Sequence, residues 1–333
     1  MKTLWLRVLL VGLFVAALAL GAGVTYFGFP QSIVEEVPQT TITWAMGHGY
    51  HYSVAVVMQH LELLEKYSGD KATLEIEILK GPAVSEVLIS GAAQFGQRSA
   101  PAVLKDIDNG APFKMLLSVG KMDHELWVSD PNVQAIADLT EDHSVAVVAP
   151  NSIEEIGLGL GLQRLGRSLD SVTVAHLKHD VAYQAMLTGE LDGDYTGAPY
   201  PARYAAEPDK FHLIATDTDL YQMMLPASVV YAQSDYIAAS PDVTAYVVAA
   251  WLEAISWINA NPEEAARVTA AFYEDPLDSA YKDWQESNIV FAPTMGLSSV
   301  SPLSKMLSDA GVLTRAYTDE ELLFFASLGE DLR

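Results

Sequence analysis

Short apolar strands alternate with amphipathic helices along this chain, and that alternation limits its fold more than any other feature. Thr41 to Met46 sets Thr41 and Thr43 outward between apolar Ile42, Trp44 and Met46, the period-two pattern of a half-buried strand. Val54, Val57, Met58, Leu61 and Leu64 then fall on one face at helical spacing, ending near Ser68-Gly69. Leu74 to Ile78 alternates again, and Gly81-Pro82 opens a short helix that Gly91 closes. Further apolar strands are expected at Met115 to Val119, Val145 to Val148, Val172 to Val174, Leu213 to Ala215 and Val229 to Tyr231, with helical stretches between most of them. This is the signature of an α/β fold with largely parallel sheets. From Tyr236 onward no strand pattern is legible. Helices are announced there by Ser240-Pro241, Asn261-Pro262 and a capping box from Thr318 to Glu321, and this helical C-terminal region is expected to pack on the first lobe. No internal repeat is apparent.

At 333 residues the chain exceeds the size at which single cores stop growing, about 250 to 300 residues, so two lobes are expected. Lys2 and Arg7 precede an uncharged apolar run from Val8 to about Phe29, long enough to cross a bilayer. Ala17-Leu18-Ala19 offers a cleavage site, but the run continues past it, which favours an anchor over a removed signal peptide. Either way the positive N-terminal flank leaves the rest of the chain outside the cytoplasmic membrane, in the periplasm or on the membrane's outer face. The chain has no cysteine, which excludes disulfides, thiolate metal sites and lipid attachment at an N-terminal Cys. With 43 acidic against 19 basic residues the formal charge is -24, which argues against a nucleic-acid partner.

Four stretches, in order, resemble the extracytoplasmic binding proteins of ABC importers for nitrate, sulfonates, taurine and thiamine-type pyrimidines. They are Met46-Gly47-His48-Gly49-Tyr50 after the first strand; Gly91 to Gly96 followed by Pro101 and Asn109-Gly110-Ala111-Pro112; Thr188-Gly189-Glu190-Leu191-Asp192-Gly193; and the helical stretch around Trp257 to Ala266. Gln94 stands where that family commonly has an acid, and His48, Tyr50 and His51 stand where small residues are commoner. The resemblance implies a two-lobed periplasmic-binding-protein fold (type II-like), each lobe a mainly parallel sheet flanked by helices, with ligand held in the cleft by hinge closure. On that plan residues 1–30 are the anchor or signal, 31–39 a linker, 40–124 and 233–333 a discontinuous lobe one, and 125–232 lobe two. Crossovers would lie near Leu117 to Val128 and Leu225 to Ala232.

Ligands of such sheets sit beyond the carboxyl ends of strands, where following helices present free N–H groups. Gly47, His48, Gly49, Tyr50 and His51 form one candidate loop, its glycines allowing close backbone approach. Gln97, Arg98 and Ser99 form another, with Ser99 as N-cap and Arg98 as a cation able to fork onto a carboxylate or sulfonate. Asn151 and Ser152 open a helix whose Glu155 completes a capping box; with Asp194, Tyr195, Thr196 and Tyr200 they are expected to give hydrogen bonds and stacking from lobe two. Lys121, near the crossover, is a further source of charge. His48-x-x-His51 has no third ligand near it in sequence, so no metal or other cofactor is expected. Gly157-x-Gly159-x-Gly161 lacks a dinucleotide fingerprint's spacing and reads as close helix packing. No G-x-S-x-G, HExxH or Walker sequence occurs. The reading is therefore the solute-capturing component of an ABC importer and not an enzyme, taking a small organic anion or a polar heterocycle and docking on a membrane permease. A solute sensor or scaffold subunit is the alternative, followed by an exported enzyme on the same fold.

Overall fold

Among the residues described by the computed structural model, 39–121, 123–287, 289–292 and 300–324, ten strands form two five-stranded sheets. The apolar N-terminal run and nearly all of the linker lie outside these residues. The first sheet holds β1 (Thr40–Met46), β2 (Ala72–Ile78), β3 (Phe95–Arg98), β4 (Phe113–Lys121) and β10 (Pro226–Gln233). The second holds β5 (Glu125–Val128), β6 (Ser144–Val147), β7 (Thr173–His176), β8 (Gly193–Thr196) and β9 (His212–Thr216). Their orders, β2-β1-β3-β10-β4 and β7-β6-β8-β5-β9, follow one plan. β10 runs antiparallel to β3 and β4, and β5 runs antiparallel to β8 and β9, while the other pairs are parallel. Each sheet thus has one reversed strand, and it is the strand that has just arrived from the other sheet. The protein is a two-lobed α/β structure whose sheets are mainly parallel.

The reversed strands explain where the lobes exchange chain. β4 ends at Lys121 and β5 begins at Glu125, so the first crossing is the short segment that carries His124. The second crossing follows the helix Asp217–Tyr221. Residues 226–232, which the sequence division gave to lobe two, pair within the first sheet, between β3 and β4. Ala227 to Ala232 are all buried there, as a central strand with both faces covered requires.

β3, β5 and β8 have no counterpart among the strands expected from the sequence. β3 (Phe-Gly-Gln-Arg) and β8 (Gly-Asp-Tyr-Thr) are buried at every position, so neither shows the alternation that marks a half-buried strand. The single helical stripe expected from Val54 to Leu64 is instead two helices, Ser53–His60 and Leu63–Ser68, broken where Glu62 takes a left-handed φ of 50°.

The C-terminal helices pack on the first lobe, as expected. Pro241–Ala260 is long and apolar enough to cross a membrane, yet its Val247, Trp251, Ala254 and Ile258 are buried in that lobe's core. Trp251 stacks on Trp44 at 5.7 Å, and Trp44 on Phe95 at 5.5 Å. Phe324 N–H donates to the Met115 carbonyl of β4. Gly120 is required at the end of β4, because a Cβ there would lie 1.7 Å from the Val290 carbonyl oxygen. The glycine series behaves as helix packing at two positions: a Cβ on Gly157 would lie 2.9 Å from the Tyr195 hydroxyl, and one on Gly161 2.7 Å from Leu220.

Candidate functional site

The loops after β1 and β3 in the first lobe and after β6, β7 and β8 in the second bring polar side chains together beside the first crossing. β1 delivers the chain to Gly47-His48-Gly49, where Gly49 adopts a φ of 141° that side chains rarely tolerate. Tyr273 donates to the Gly47 carbonyl at 3.2 Å and its ring lies 4.1 Å from that of His48, which pairs with Asp275 at 3.3 Å. The His51 ring rests 4.0 Å from the Tyr52 ring. The His51 carbonyl accepts from Gln97 Nε2 at 3.0 Å and from Ser228 Oγ at 3.3 Å. Gln97 is fully buried, donates also to Ser228 Oγ at 2.7 Å, and leaves its Oε1 without a partner among the described residues.

The second lobe answers with a histidine and carboxylate cluster. Ser152 caps the helix Ile153–Arg164 by accepting from Glu155 N–H, and Glu155 accepts from Asn151 N–H at 2.6 Å, the self-capping expected from the sequence. Glu154, one residue earlier, turns inward: its side chain is 2% exposed, with Oε1 3.5 Å from His124 Nε2 and 3.8 Å from His179 Nε2. Its Oε2 has no partner among the described residues. His124 Nδ1 is 2.8 Å from Asp217, which also accepts the His124 N–H and the Tyr195 phenol. Burial opposes charge on His124, but Asp217 and then Glu154 outweigh it and raise the imidazole to about 9. Burial drives His51 the other way, to about 3, with the charges of His124, His179 and His48 adding to the effect. His179 is likewise lowered by burial, against the pull of Glu154. The Tyr52 phenol is pushed up to about 12 by burial, with Arg98 opposing and Glu154 adding. First-lobe and second-lobe groups therefore share one electrostatic environment.

The residues singled out from the sequence divide into those that reach this site and those held elsewhere. His48, His51 and Gln97 border it. Thr196 hydrogen-bonds His179 Nδ1 at 2.8 Å, and the Tyr200 ring lies 6.0 Å from that of His179. Arg98 is not the free cation expected: Asp106 holds its Nη1 at 2.6 Å and Ser85 at 2.9 Å, and the side chain is 8% exposed. The cation beside Tyr200 is Arg203, 4.8 Å from the ring and paired at 3.8 Å with Asp283 of a helix that follows the first-lobe core. Ser99 occupies the N-cap of Ala100–Asp108 but makes no side-chain capping bond. Tyr50 is buried with its hydroxyl on the Ala280 carbonyl, and Tyr195 is fully buried against Asp217. Asp194 is fully buried and accepts from Tyr204; burial raises its carboxyl to about 8. Asn151 is exposed. Lys121 lines a different hollow of ≈ 270 Å³ with Asp123, Glu125 and Glu286.

Glu154, His124, His179, Asp217 and Arg203 were not legible as site residues. Glu154 and Glu155 look alike in sequence, and only the helix's rotation on the sheet decides which caps and which points inward. His124 is an isolated histidine between two strands, with no motif around it. Among the described residues no group of histidines and carboxylates is arranged to hold a metal ion.

A family model described as the NMT1-like family matches residues 35–273. A putative binding protein of Brucella abortus (strain 2308) is 22% identical over 236 residues, 71% of this chain and 72% of that protein. Among solved structures, the alkanesulfonate-binding protein SsuA from Xanthomonas axonopodis pv. citri bound to MOPS superposes with a TM-score of 0.68 at 14% identity, covering 86% of this chain and 98% of that one. The periplasmic nitrate-binding protein NrtA from Synechocystis PCC 6803 does so with a TM-score of 0.58 at 12% identity, covering 72% and 68%. Those likenesses carry the fold, and the family match, which spans most of the chain, carries the membership: this protein belongs to the NMT1-like family.

Proposed function

We propose that the protein is the extracytoplasmic solute-binding component of an ABC importer, closing its lobes on a small polar heterocycle and presenting the closed form to a membrane permease. The observation that carries this reading is the cluster of Glu154 with His124 and His179 beside the first crossing, whose charges act on the stacked His51 and Tyr52 of the first lobe. Neighbours in the fold include proteins named for binding alkanesulfonates and nitrate, which supports capture over catalysis. The rings of Tyr52, Tyr200 and Tyr273 suit a flat organic body better than a bare inorganic ion. A small organic anion is the second reading, favoured by the helix Ala100–Asp108, whose first turn has no acid and whose N-cap makes no side-chain bond. The pairing of Arg98 with Asp106 weighs against it. The N-terminal apolar run would keep the protein at the outer face of the cytoplasmic membrane, within reach of a permease.

A thermal-shift screen of the full-length chain against amino-substituted azaheterocycles, carboxylates, sulfonates and nitrate tests the proposal. A ligand at 100 times its Kd adds about 2.7 kcal/mol of stability, enough to read as a clear rise in Tm. A rise that disappears in Tyr200→Ala supports cleft capture; no rise with any class overturns it.

A further inference from the structure

We infer that the two crossings are unequal: the first is a fixed pivot, gripped by Val290 on one lobe and by Asp217 and Thr218 on the other, while residues 222–224 of the second carry the slack that lets the lobes turn. This rests on the cleft-capture reading above and names the residues that set the geometry of closure. A hinge bends where backbone is left without partners, so the hydrogen bonds at each end of a crossing decide where rotation is allowed.

The grip of the first lobe is a strap, residues 289–292, laid against the end of β4. Val290 N–H donates to the Lys121 carbonyl at 3.1 Å, and the Val290 carbonyl accepts from Lys121 N–H at 3.3 Å. The approach is so close that Gly120 leaves no room for a side chain beneath the Val290 carbonyl. The strap is itself tied to the first lobe. Phe291 is buried and stacks on Trp284 at 5.0 Å, and its carbonyl accepts from Asn259 Nδ2 at 2.9 Å. Within the sheet Lys121 also pairs with Pro226, where the second crossing enters β10.

The grip of the second lobe begins at Asp123, whose carboxylate accepts from Thr218 Oγ1 at 3.0 Å. His124 is held at three atoms. Asp217 N–H donates to its carbonyl at 2.9 Å, and the Asp217 carboxylate accepts its N–H at 2.9 Å and lies 2.8 Å from its Nδ1. Asp217 is fully buried and fixed by the Tyr195 hydroxyl at 2.5 Å. Its helix, Asp217–Tyr221, is bound to Ile153–Arg164 of the same lobe by the Tyr221 hydroxyl on the Ile153 carbonyl at 2.6 Å and by Arg164 on the Leu220 carbonyl at 2.5 Å. Lys121 and Asp123 stand one residue apart, so the first crossing has almost no free length between its grips.

The second crossing is built differently. Gln222 takes a left-handed φ of 56° and its side chain bonds only back to Asp219, on the helix it leaves. Met223 and Met224 make no hydrogen bond among the described residues, and the crossing is anchored again only at buried Leu225. Met224 is 53% exposed and lines the ≈ 270 Å³ hollow beside Lys121, Asp123 and Val290, which gives the segment room to move.

The chain has no cysteine, so Glu86→Cys and Gln184→Cys, one exposed position on each lobe, can carry nitroxide labels without background. Their separation is read by double electron–electron resonance on the full-length, ligand-free protein. Three changes are made in this labelled parent. Gly120→Ala displaces the strap, Asp217→Asn turns an amide nitrogen toward one of the donors it now accepts from, and Gly-Gly inserted between Met223 and Met224 lengthens the second crossing. Each grip variant is expected to raise the population of separations outside the parent's range about 2- to 10-fold, the worth of one hydrogen bond. The insertion is expected to leave the distribution unchanged. Thr218→Val, at an exposed position, takes the place of Asp217→Asn if that variant does not fold. A distribution that broadens with the insertion as much as with the grip variants, or that the grip variants leave unchanged, overturns the fixed pivot. No ligand enters the measurement, so its outcome is separate from the thermal-shift screen that decides capture.

Discussion

His124 and Asp194 are both buried, and each is held in the protonated form beyond its ordinary range for a different reason. In His124 the neighbouring carboxylates overcome burial and raise the imidazole from 6.5 to about 9. A base whose folded pKa is raised contributes stability that is complete below about 6.5 and is lost as pH rises through about 9. His124→Asn should therefore cost about 3 kcal/mol at pH 6, the scale for breaking a buried ion pair, and the gap to wild type in urea melts should shrink between about pH 6.5 and pH 9. In Asp194 burial, aided by the charge of Glu154 and opposed by hydrogen bonds from Tyr204 and Thr196, raises the carboxyl from 3.8 to about 8. The folded state then keeps a proton that the unfolded chain releases, so stability falls as pH climbs from about 4 to about 8. Asp194→Asn preserves the acceptor for Tyr204 and should gain on wild type across that interval, a difference that thermal melts at pH 4 and pH 8 would read directly. Neither residue announces this in sequence: Asp194 was expected to meet ligand, and only its place in β8, covered on both faces, makes it part of the core.

The elements that could be read from the chain were those with punctuation at their ends. Ser240-Pro241, Asn261-Pro262 and the Thr318 to Glu321 box each open a helix in the structure, and Thr318 and Glu321 exchange the reciprocal bonds that define the box. β2 was legible because its residues alternate between a buried and a more exposed face, and β1 because Thr41 and Thr43 alternate in kind with Ile42, Trp44 and Met46, although Trp44, Ala45 and Met46 are all buried. β3 and β8 were not, because four residues buried on both faces carry no period. The helix Pro241–Ala260 passes for a membrane span by composition and is identified as a core helix by its partners alone. Trp251 is fully buried and stacked on Trp44 within the first lobe. Trp251→Ala is expected to cost about 3 to 5 kcal/mol, measured by chemical denaturation, with no effect if the helix were instead lipid-facing.

At the scale of the whole molecule, the two lobes share one buried apolar cluster, which takes in Met115 and Val229 of the first and Leu126 and Leu158 of the second, and polar contacts between them are modest one at a time. Arg203 and Asp283 form an ion pair 3.8 Å long with side chains 40% and 14% exposed, so solvent screens it and its worth is below about 1 kcal/mol. Arg203→Ala should accordingly loosen closure without abolishing it: a Kd weakened less than about fivefold, and a ligand-free radius of gyration in X-ray scattering equal to or slightly above that of wild type. The sequence by itself determined the α/β class, the mainly parallel sheets, the helical C-terminal region and the self-capped helix at Ser152. These are local matters, fixed by side-chain period and by which residue stands at a helix end. Tertiary structure alone decided that β10 returns to the first sheet, that Asp106 neutralises Arg98, and that Glu154, His124 and His179 converge from segments far apart in the chain. Charge balance at a site is a sum over neighbours in space, and a single sequence shows each charge without showing what stands beside it.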